Sequence, residues 1–219
     1  MNAVIQVSTS QFTQHDQDTF DPADGLLGIL QRVMAEKQAT LIYAAGIGAV
    51  AVIPDLGDYF TELSDDELAA FCRVPATGFT AKRLGDASRN QLLGQGISGR
   101  NIEELKWRAA YHASQGRLMK GCGRDDVVLL KSWPNLTRLP AMANGVRIAA
   151  LLSRFPTTVS LAHHLLKIPV AEMNEFYSAA TAAGLAIAVN RKPEQPQQEY
   201  QPHRQRGLLG AIFERVMGL

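Results

Sequence analysis

A glycine-rich segment has the spacing of a phosphate-binding loop. Residues 94–99 read G-Q-G-I-S-G, a pattern that lets backbone N–H groups approach a pyrophosphate when the loop joins a buried strand to a helix. Here polar residues 88–91 precede the glycines, and no strand–helix–strand unit surrounds them. We interpret residues 84–99 as a long polar loop. An anion or nucleotide site flanked by Arg83 and Arg100 is the alternative.

Histidine and cysteine supply no recognisable metal site. His163 and His164 are adjacent on a predicted helix, so their side chains should point about 100° apart and not towards one ion. No cysteine or carboxylate lies at ligand spacing from them. Cys72 and Cys122 are far apart in the chain, which predicts reduced thiols rather than a disulfide framework or a zinc site.

The sequence contains none of the motifs expected for nucleophilic, metal-dependent or phosphoryl-transfer catalysis. Its paired carboxylates stand at the starts of predicted helices or strands, where acidic groups cap or solvate the ends. These pairs are Asp65-Asp66, Glu103-Glu104 and Asp125-Asp126. We therefore predict a protein that is not an enzyme, without catalytic, cofactor-binding or metal-binding residues.

Composition favours a globular protein with a substantial core. The chain has 219 residues, of which 46% are hydrophobic and 20% charged, and a formal net charge of +1. This balance gives no general electrostatic reason to expect nucleic acid or an anionic surface as a partner. Because neither a secretory signal nor an apolar run of ~20 residues is present, we predict a soluble cytoplasmic protein.

The first part of the chain is predicted to form an N-terminal α+β domain over residues 1–140. A helical pattern begins at Asp24 and ends near residue 37, and three short apolar runs follow within residues 40–61. Glycine-containing turns separate these runs, which is typical of an antiparallel meander. Ser64 and Glu67 have the spacing of a capping box, and Asn101 and Glu104 form a second capping pair.

Residues 141–189 are predicted to form a winged-helix-like domain. Three helices are expected, on the stripes Ile148–Phe155, Leu161–Leu166 and Val170–Ala180, followed by a strand at 185–189. The third helix would be the DNA-reading helix, but it carries two glutamates and neither lysine nor arginine. Only Asn174 on it could read a base. A winged-helix DNA-binding regulator is therefore the alternative, and we do not expect nucleic acid as the partner.

The C-terminal end of the chain gives the most specific indication of function. Residues 190–206 are rich in proline and glutamine and predict a disordered linker, and residues 207–219 predict an amphipathic docking helix. Six apolar residues recur on it at helical spacing and are the predicted partner-binding residues: Leu208, Leu209, Ile212, Phe213, Val216 and Met217. A short apolar helix needs a cover, which a partner's groove, the protein's own body or a membrane surface would supply.

Two resemblances add to this interpretation. Residues 25–60, with L-L-G-I-L-Q before K-Q-A-T-L and glycines ahead of apolar pairs, resemble the N-terminal domain of PatA-type response regulators. That small α+β domain has no assigned catalytic residues. The second half is similar to uncharacterised proteobacterial proteins associated with small Ras-like GTPases and roadblock-type regulators. It contains I-E-E-L-K-W at 102–107, W-P-N-L-T-R-L at 133–139 and F-Y-S-A-A at 176–180.

These patterns together predict an α+β protein that acts as a bacterial signalling adaptor. We expect it to bind other proteins through its C-terminal helix, and a Ras-like GTPase or roadblock-type regulator is the partner that the resemblance implies. Attachment to a membrane through the tail is a further expectation. Trp133 is either part of a second contact surface or a plug in the core. A nucleotide-binding effector is the third functional alternative.

Overall fold

The computed structural model describes residues 19–94 and 97–191, which form a mixed α and β structure with mainly antiparallel sheets. The predicted α+β class is thereby confirmed. The strands are β1 Thr19–Phe20, β2 Thr40–Ala44, β3 Gly48–Ile53, β4 Asp58–Phe60, β5 Phe79–Arg83, β6 Arg100–Asn101, β7 Leu118–Met119, β8 Val127–Leu130, β9 Thr157–Thr158 and β10 Ala186–Ala188. The helices are α1 Leu26–Glu36, α2 Asp65–Cys72, α3 Asp86–Gly94, α4 Ile102–Ser114, α5 Gly145–Arg154, α6 Val159–Leu166 and α7 Val170–Ala182.

A five-stranded antiparallel sheet organises the first region. Its strand order is β5-β2-β3-β4-β6, so the predicted meander forms its centre. Gly46 and Gly57 lie in the two connecting turns with φ of 76° and 69°. Glycine adopts this left-handed conformation without a Cβ clash, which is why these positions mark the strand ends.

Both faces of this sheet are covered by helices. On one face the side chains of Ile42, Val50 and Val52 are fully buried in a core that includes apolar residues of α1, α2 and α4. On the other face Leu92 of α3 packs near Ile53 in a smaller cluster. The prediction of a loop throughout residues 84–99 was wrong, because α3 occupies most of that segment.

The two predicted capping pairs have different outcomes. Ser64 and Glu67 form the reciprocal capping box, with the Ser64 N–H donating to the Glu67 carboxylate at 2.8 Å. Asn101 caps α4 by accepting from the Glu103 N–H at 2.7 Å. Glu104 is not part of that cap, because its carboxylate faces arginine side chains instead.

The second region contains the three predicted helices, α5, α6 and α7, and a three-stranded antiparallel sheet. Strand β8 is central and pairs with β9 on one side and β10 on the other. The strand predicted at 185–189 is therefore present as β10. Gly184 follows the C-terminal end of α7 with φ of 74°, a left-handed conformation that is common for glycine just after a helix.

One apolar core runs through both regions. Helices α4 and α7 pack together, and the Trp107 and Phe176 rings meet edge to face with centroids 5.2 Å apart. The Ser178 hydroxyl oxygen accepts from the Met119 N–H at 2.9 Å in the same interface. The domain boundary near residue 140 stays a prediction, and the chain on its two sides shares this core.

Candidate functional site

The predicted docking helix lies outside the described residues. This applies to all six predicted partner-binding residues, Leu208, Leu209, Ile212, Phe213, Val216 and Met217, and to the predicted linker from residue 192 onwards. The first two linker residues are described and lie against the folded body. Asn190 accepts from the Val127 N–H at 2.8 Å, and Arg191 pairs with the buried carboxylate of Asp126.

The glycine-rich segment does not have the surroundings of a phosphate loop. Gly94 ends helix α3, and residues 95 and 96 lie outside the described part. Gly99 lies so close to the side chains of Asp58 and Phe60 that a Cβ would meet both at 3.0 Å. The described part thus runs from a helix to a two-residue strand, instead of from a buried strand to a helix.

The two adjacent histidines lie at the surface end of α6. His163 is half-buried and His164 is exposed. Their ring centroids are 3.9 Å apart, so the two rings lie against each other, and the prediction that they point about 100° apart was wrong. No group of three potential metal ligands occurs among residues 19–94 and 97–191. Burial raises the pKa of the Cys72 thiol to about 12 and that of the Cys122 thiol to about 11, which disfavours the nucleophilic thiolate.

A cluster of charged side chains joins α2, α4 and the chain after β8. The buried Arg108 guanidinium lies 3.1 Å from the Asp65 carboxylate and donates to the Arg138 carbonyl at 2.6 Å. The Glu104 carboxylate lies 3.6 Å from Arg100 and 3.7 Å from Arg138. Because each carboxylate faces an arginine, the cluster connects structural elements and offers no free acid–base pair.

A cleft of about 500 Å³ opens where α2 and α4 end. Its cationic side chains already have partners: Arg117 donates to the last carbonyls of α4, and the Lys120 ammonium lies 2.9 Å from Asp21. Burial and the neighbouring Arg73 and Arg108 lower the pKa of His112 to about 4. Arg117 therefore complements the C-terminal end of α4, Lys120 pairs with a carboxylate, and His112 is neutral at physiological pH.

The third helix of the second region is a core helix. Asn174, the predicted base-reading residue, is buried, and its side-chain amide donates to the Gly116 carbonyl at 2.9 Å. Six of the other twelve residues of α7 are buried as well, and the helix packs against α4. Asn174 is therefore committed to the interface between the two regions and does not face solvent.

Trp133 is a surface residue. Its exposed fraction is 53%, so the interpretation of Trp133 as a core plug was wrong. The following Pro134 is buried instead. Tryptophan side chains are mostly buried in folded proteins. Tryptophan is also enriched among the residues that contribute most to protein–protein binding.

Helix α6 presents an apolar face to solvent. Leu161 and Leu165 are four residues apart, 51% and 58% exposed, with the exposed His164 between them. The opposite side of the helix buries Val159 and Ala162 in the core. We call the surface formed by Leu161, His164 and Leu165 the α6 face.

Two features fix the position of the α6 face. The Thr158 hydroxyl caps α6 by accepting from the Leu161 N–H at 3.2 Å. At the other end, the Arg147 guanidinium donates to the Leu166 carbonyl at 2.6 Å and brings the first turn of α5 beside the last turn of α6. The exposed Val146 precedes Arg147, so apolar and basic groups adjoin the α6 face.

Apolar exposure and positive charge are both concentrated in the second region. Of the ten large apolar side chains exposed in the described residues, seven belong to residues 133–189. Residues 117–191 contain nine lysines and arginines against four acidic residues. The leucine spacing on α6 was visible in the sequence, but which side of the helix is buried depends on the packing of α5 and α7.

Within the described ranges, no helix combines the length and the apolar character needed to cross a membrane. Comparison with known proteins yields no relative: no family model matches the chain, and neither a curated protein nor a solved structure is significantly similar to it.

Proposed function

We propose that this protein is a non-enzymatic adaptor that binds another protein through its second region. The observation that carries this proposal is the α6 face, on which Leu161 and Leu165 are each more than half exposed on a well-capped helix. Covering two leucines removes apolar surface from water at about 25 cal/mol per Å². A rigid helix side also loses little entropy when it is covered.

The surroundings of the α6 face indicate the chemistry of the partner. Arg147 and Lys167 lie at its C-terminal end, in a region with a surplus of basic residues. A complementary surface would be apolar at its centre and acidic at its rim. The resemblance to bacterial signalling proteins makes a small Ras-like GTPase or a roadblock-type regulator the partner class to test first.

The proposal also includes a winged-helix-like arrangement of the second region. We propose that residues 141–189, predicted as a winged-helix-like domain, form such a unit together with the preceding strand β8, which is central in its sheet. In the DNA-binding use of such units the third helix enters the major groove. Here α7 packs on α4 and Asn174 is buried, which favours use of the unit for protein contacts.

The test is a pair of matched leucine variants. Leu161→Gln with Leu165→Gln changes the α6 face, and Leu56→Gln changes an exposed leucine in the first region as a control. Affinity purification from native lysate, followed by titration of the purified partner, should show loss of binding of at least about tenfold for the double variant. Binding that survives the double variant but is lost with Leu56→Gln would contradict the proposal.

The predicted docking helix needs a separate test. A chain ending at Lys192, which keeps Arg191 and its contact with Asp126, and a full-length chain with Leu209→Asp and Phe213→Asp remove the tail's apolar anchors. If the tail is a second docking element, both should weaken partner binding without changing the melting temperature of the body. Unchanged binding and unchanged localisation would remove the tail from the proposal.

A further inference from the structure

Strand β5 lies at the edge of the five-stranded sheet. It pairs with β2 on one side, and no strand of residues 19–94 and 97–191 pairs with its other side. Strand edges carry rows of N–H and C=O groups that readily accept a further strand. The other edge of the same sheet is the two-residue β6, so β5 is the longer of the two edges.

The phase of the β2–β5 pairing shows which backbone groups face outwards. The Leu84 N–H donates to the Ala39 carbonyl at 2.8 Å, and Ala39 and Leu84 are directly opposite in the register. In an antiparallel pair, hydrogen-bonded positions alternate with positions whose groups point away. Ala81 and Arg83 are therefore the residues that direct N–H and C=O groups towards the free edge.

A groove runs between this edge and helix α1. It has a volume of about 370 Å³, and we call it the edge groove. Its lining residues are Ile29, Arg32, Val33 and Glu36 of α1, with Thr40, Ala76, Phe79, Ala81 and Arg83. Its lining combines apolar side chains, among them Ile29, Val33, Phe79 and Ala81, with polar and charged ones. An ion pair of 3.1 Å joins Arg83 to Glu36 at the rim.

The edge groove is an uncovered strip of the core face of the sheet. Ala81 is directly opposite Ile42 in the β2–β5 register and lies on the same face. The Ile42 side chain is fully buried, whereas Ala81 is exposed. A strand added to β5 would place alternate side chains in this strip and would make backbone hydrogen bonds with Ala81 and Arg83.

The chain contains a segment suited to that position. Residues 3–9 read A-V-I-Q-V-S-T, which is rich in the β-branched residues that favour strands, and carry no charged side chain. Because side chains alternate between the two faces of a strand, Ala3, Ile5 and Val7 share one face and are all apolar. The other face carries Val4, Gln6 and Ser8, of which Gln6 and Ser8 are polar.

The point at which the described chain begins places this segment within reach. Thr19 lines the cleft at the end of α2 together with Val74 and Pro75, and Ala76–Gly78 then leads directly into β5. Residues 10–18 can span about 30 Å when extended. A five-residue strand such as β5 is about 17 Å long, so the connection is long enough in either strand direction.

We propose that residues 3–9 of this chain add to the free edge of β5 as a sixth strand. Ile5 and Val7 then lie in the edge groove against α1, and the Ala81 and Arg83 amides donate to the added strand. The edge groove is in this sense an intramolecular binding site for an uncharged, β-branched segment. It lies in the first region, apart from the α6 face.

Residue-resolved amide hydrogen exchange on the full chain tests this arrangement. Ile5→Asp places a charge on the groove-facing side, and Gln6→Asp places the same charge on the opposite side as a matched control. Ile5→Asp should accelerate exchange of the Ala81 and Arg83 amides by about tenfold or more. The Thr80 and Lys82 amides, which face β2, serve as internal references and should not change in either variant.

Three outcomes would overturn the proposal. The first is equally fast exchange of Ala81 and Arg83 in the unmodified chain and in Ile5→Asp. The second is protection that persists in Ile5→Asp, because the occupant would then be another segment. The third is protection that disappears on dilution, because the β5 edge would then pair with a second copy of the chain.

Discussion

The two regions of this molecule use their apolar residues differently. The first buries Ile42, Val50 and Val52 completely between a sheet and its own helices, and residues 19–116 carry twelve acidic against nine basic residues. The second buries α7, largely against a helix of the first, and leaves Leu161 and Leu165 of α6 facing solvent. In the second region, α7 supplies most of the contact with the first region, and one side of α6 stays exposed. Residues that stabilise the fold, on α7, are thus different from residues available to a partner, on α6.

The largest effect is expected from two phenylalanines of opposite burial. Phe176→Ala should lower the free energy of unfolding by about 3–5 kcal/mol, because Phe176 is fully buried against Trp107. Phe155→Ala is the matched control and should change it by less than about 0.5 kcal/mol, since Phe155 is 63% exposed. Urea titration followed by circular dichroism measures both. Two separate transitions in the unmodified protein would show that the regions unfold independently, contrary to the shared core.

A smaller loss is expected at the buried carboxylate of the second region. Asp126 accepts from the Tyr177 hydroxyl and the Gly123 N–H, both at 2.7 Å, and pairs with Arg191. Asp126→Ala should therefore cost about 2 kcal/mol, because buried donors lose their acceptor. The adjacent Asp125→Ala, at an exposed position, should cost little. Equal urea midpoints for the two variants would mean that the Asp126 contacts are not formed in solution.

A pH effect distinguishes the first region. Burial, Arg73 and Arg108 lower the folded-state pKa of His112 to about 4, below the value of about 6.5 for an unfolded chain. The unfolded state then binds more protons between these values, so the contribution of His112 is complete above about pH 6.5 and is lost as pH falls towards about 4. His112→Asn should flatten the pH dependence of the urea midpoint in this window. An identical pH profile for the variant would contradict this burial of His112.

Substitutions on the α6 face should have the smallest effect on stability, although they should have the largest effect on partner binding. Leu161→Gln and Leu165→Gln should each change the free energy of unfolding by less than about 0.5 kcal/mol, because both side chains face solvent. Thermal melting of the double variant measures this. A decrease of several kcal/mol in the free energy of unfolding would mean that another part of the protein covers the α6 face. The two regions would then not differ in how they use their apolar residues.

Local signals predicted much of the fold. Turn glycines such as Gly57, the Ser64–Glu67 capping box and the leucine stripe of α6 are each contained within a few residues, and all correspond to observed elements. Helix α3 was missed because its nine residues are mostly polar and hold only two large apolar side chains, Leu92 and Leu93. It is positioned by the packing of Leu92 on the sheet, a contact that no local pattern contains.

The surfaces with functional interest depend on long-range contacts and were therefore less predictable. The edge groove exists because β5 pairs with β2 across about 40 residues, a register that the sequence alone does not specify. The burial of Asn174 depends on its bond to Gly116, far away in the chain. Exposed Trp133 has the same residue type as buried Trp107, and only the packed structure separates them.

The anchoring of Arg191 also sets how the rest of the chain is presented to a partner. Its contacts with Asp126 and the Gly121 carbonyl hold Arg191, the last of the described residues, against the body. If residues 192–206 behave as the random coil that their composition predicts, their root-mean-square span is on the order of 20 Å. A partner held at the α6 face would then meet the last residues of the chain at a millimolar-range effective concentration. Two weak contacts would combine by avidity, and the anchor would set how strongly they reinforce each other.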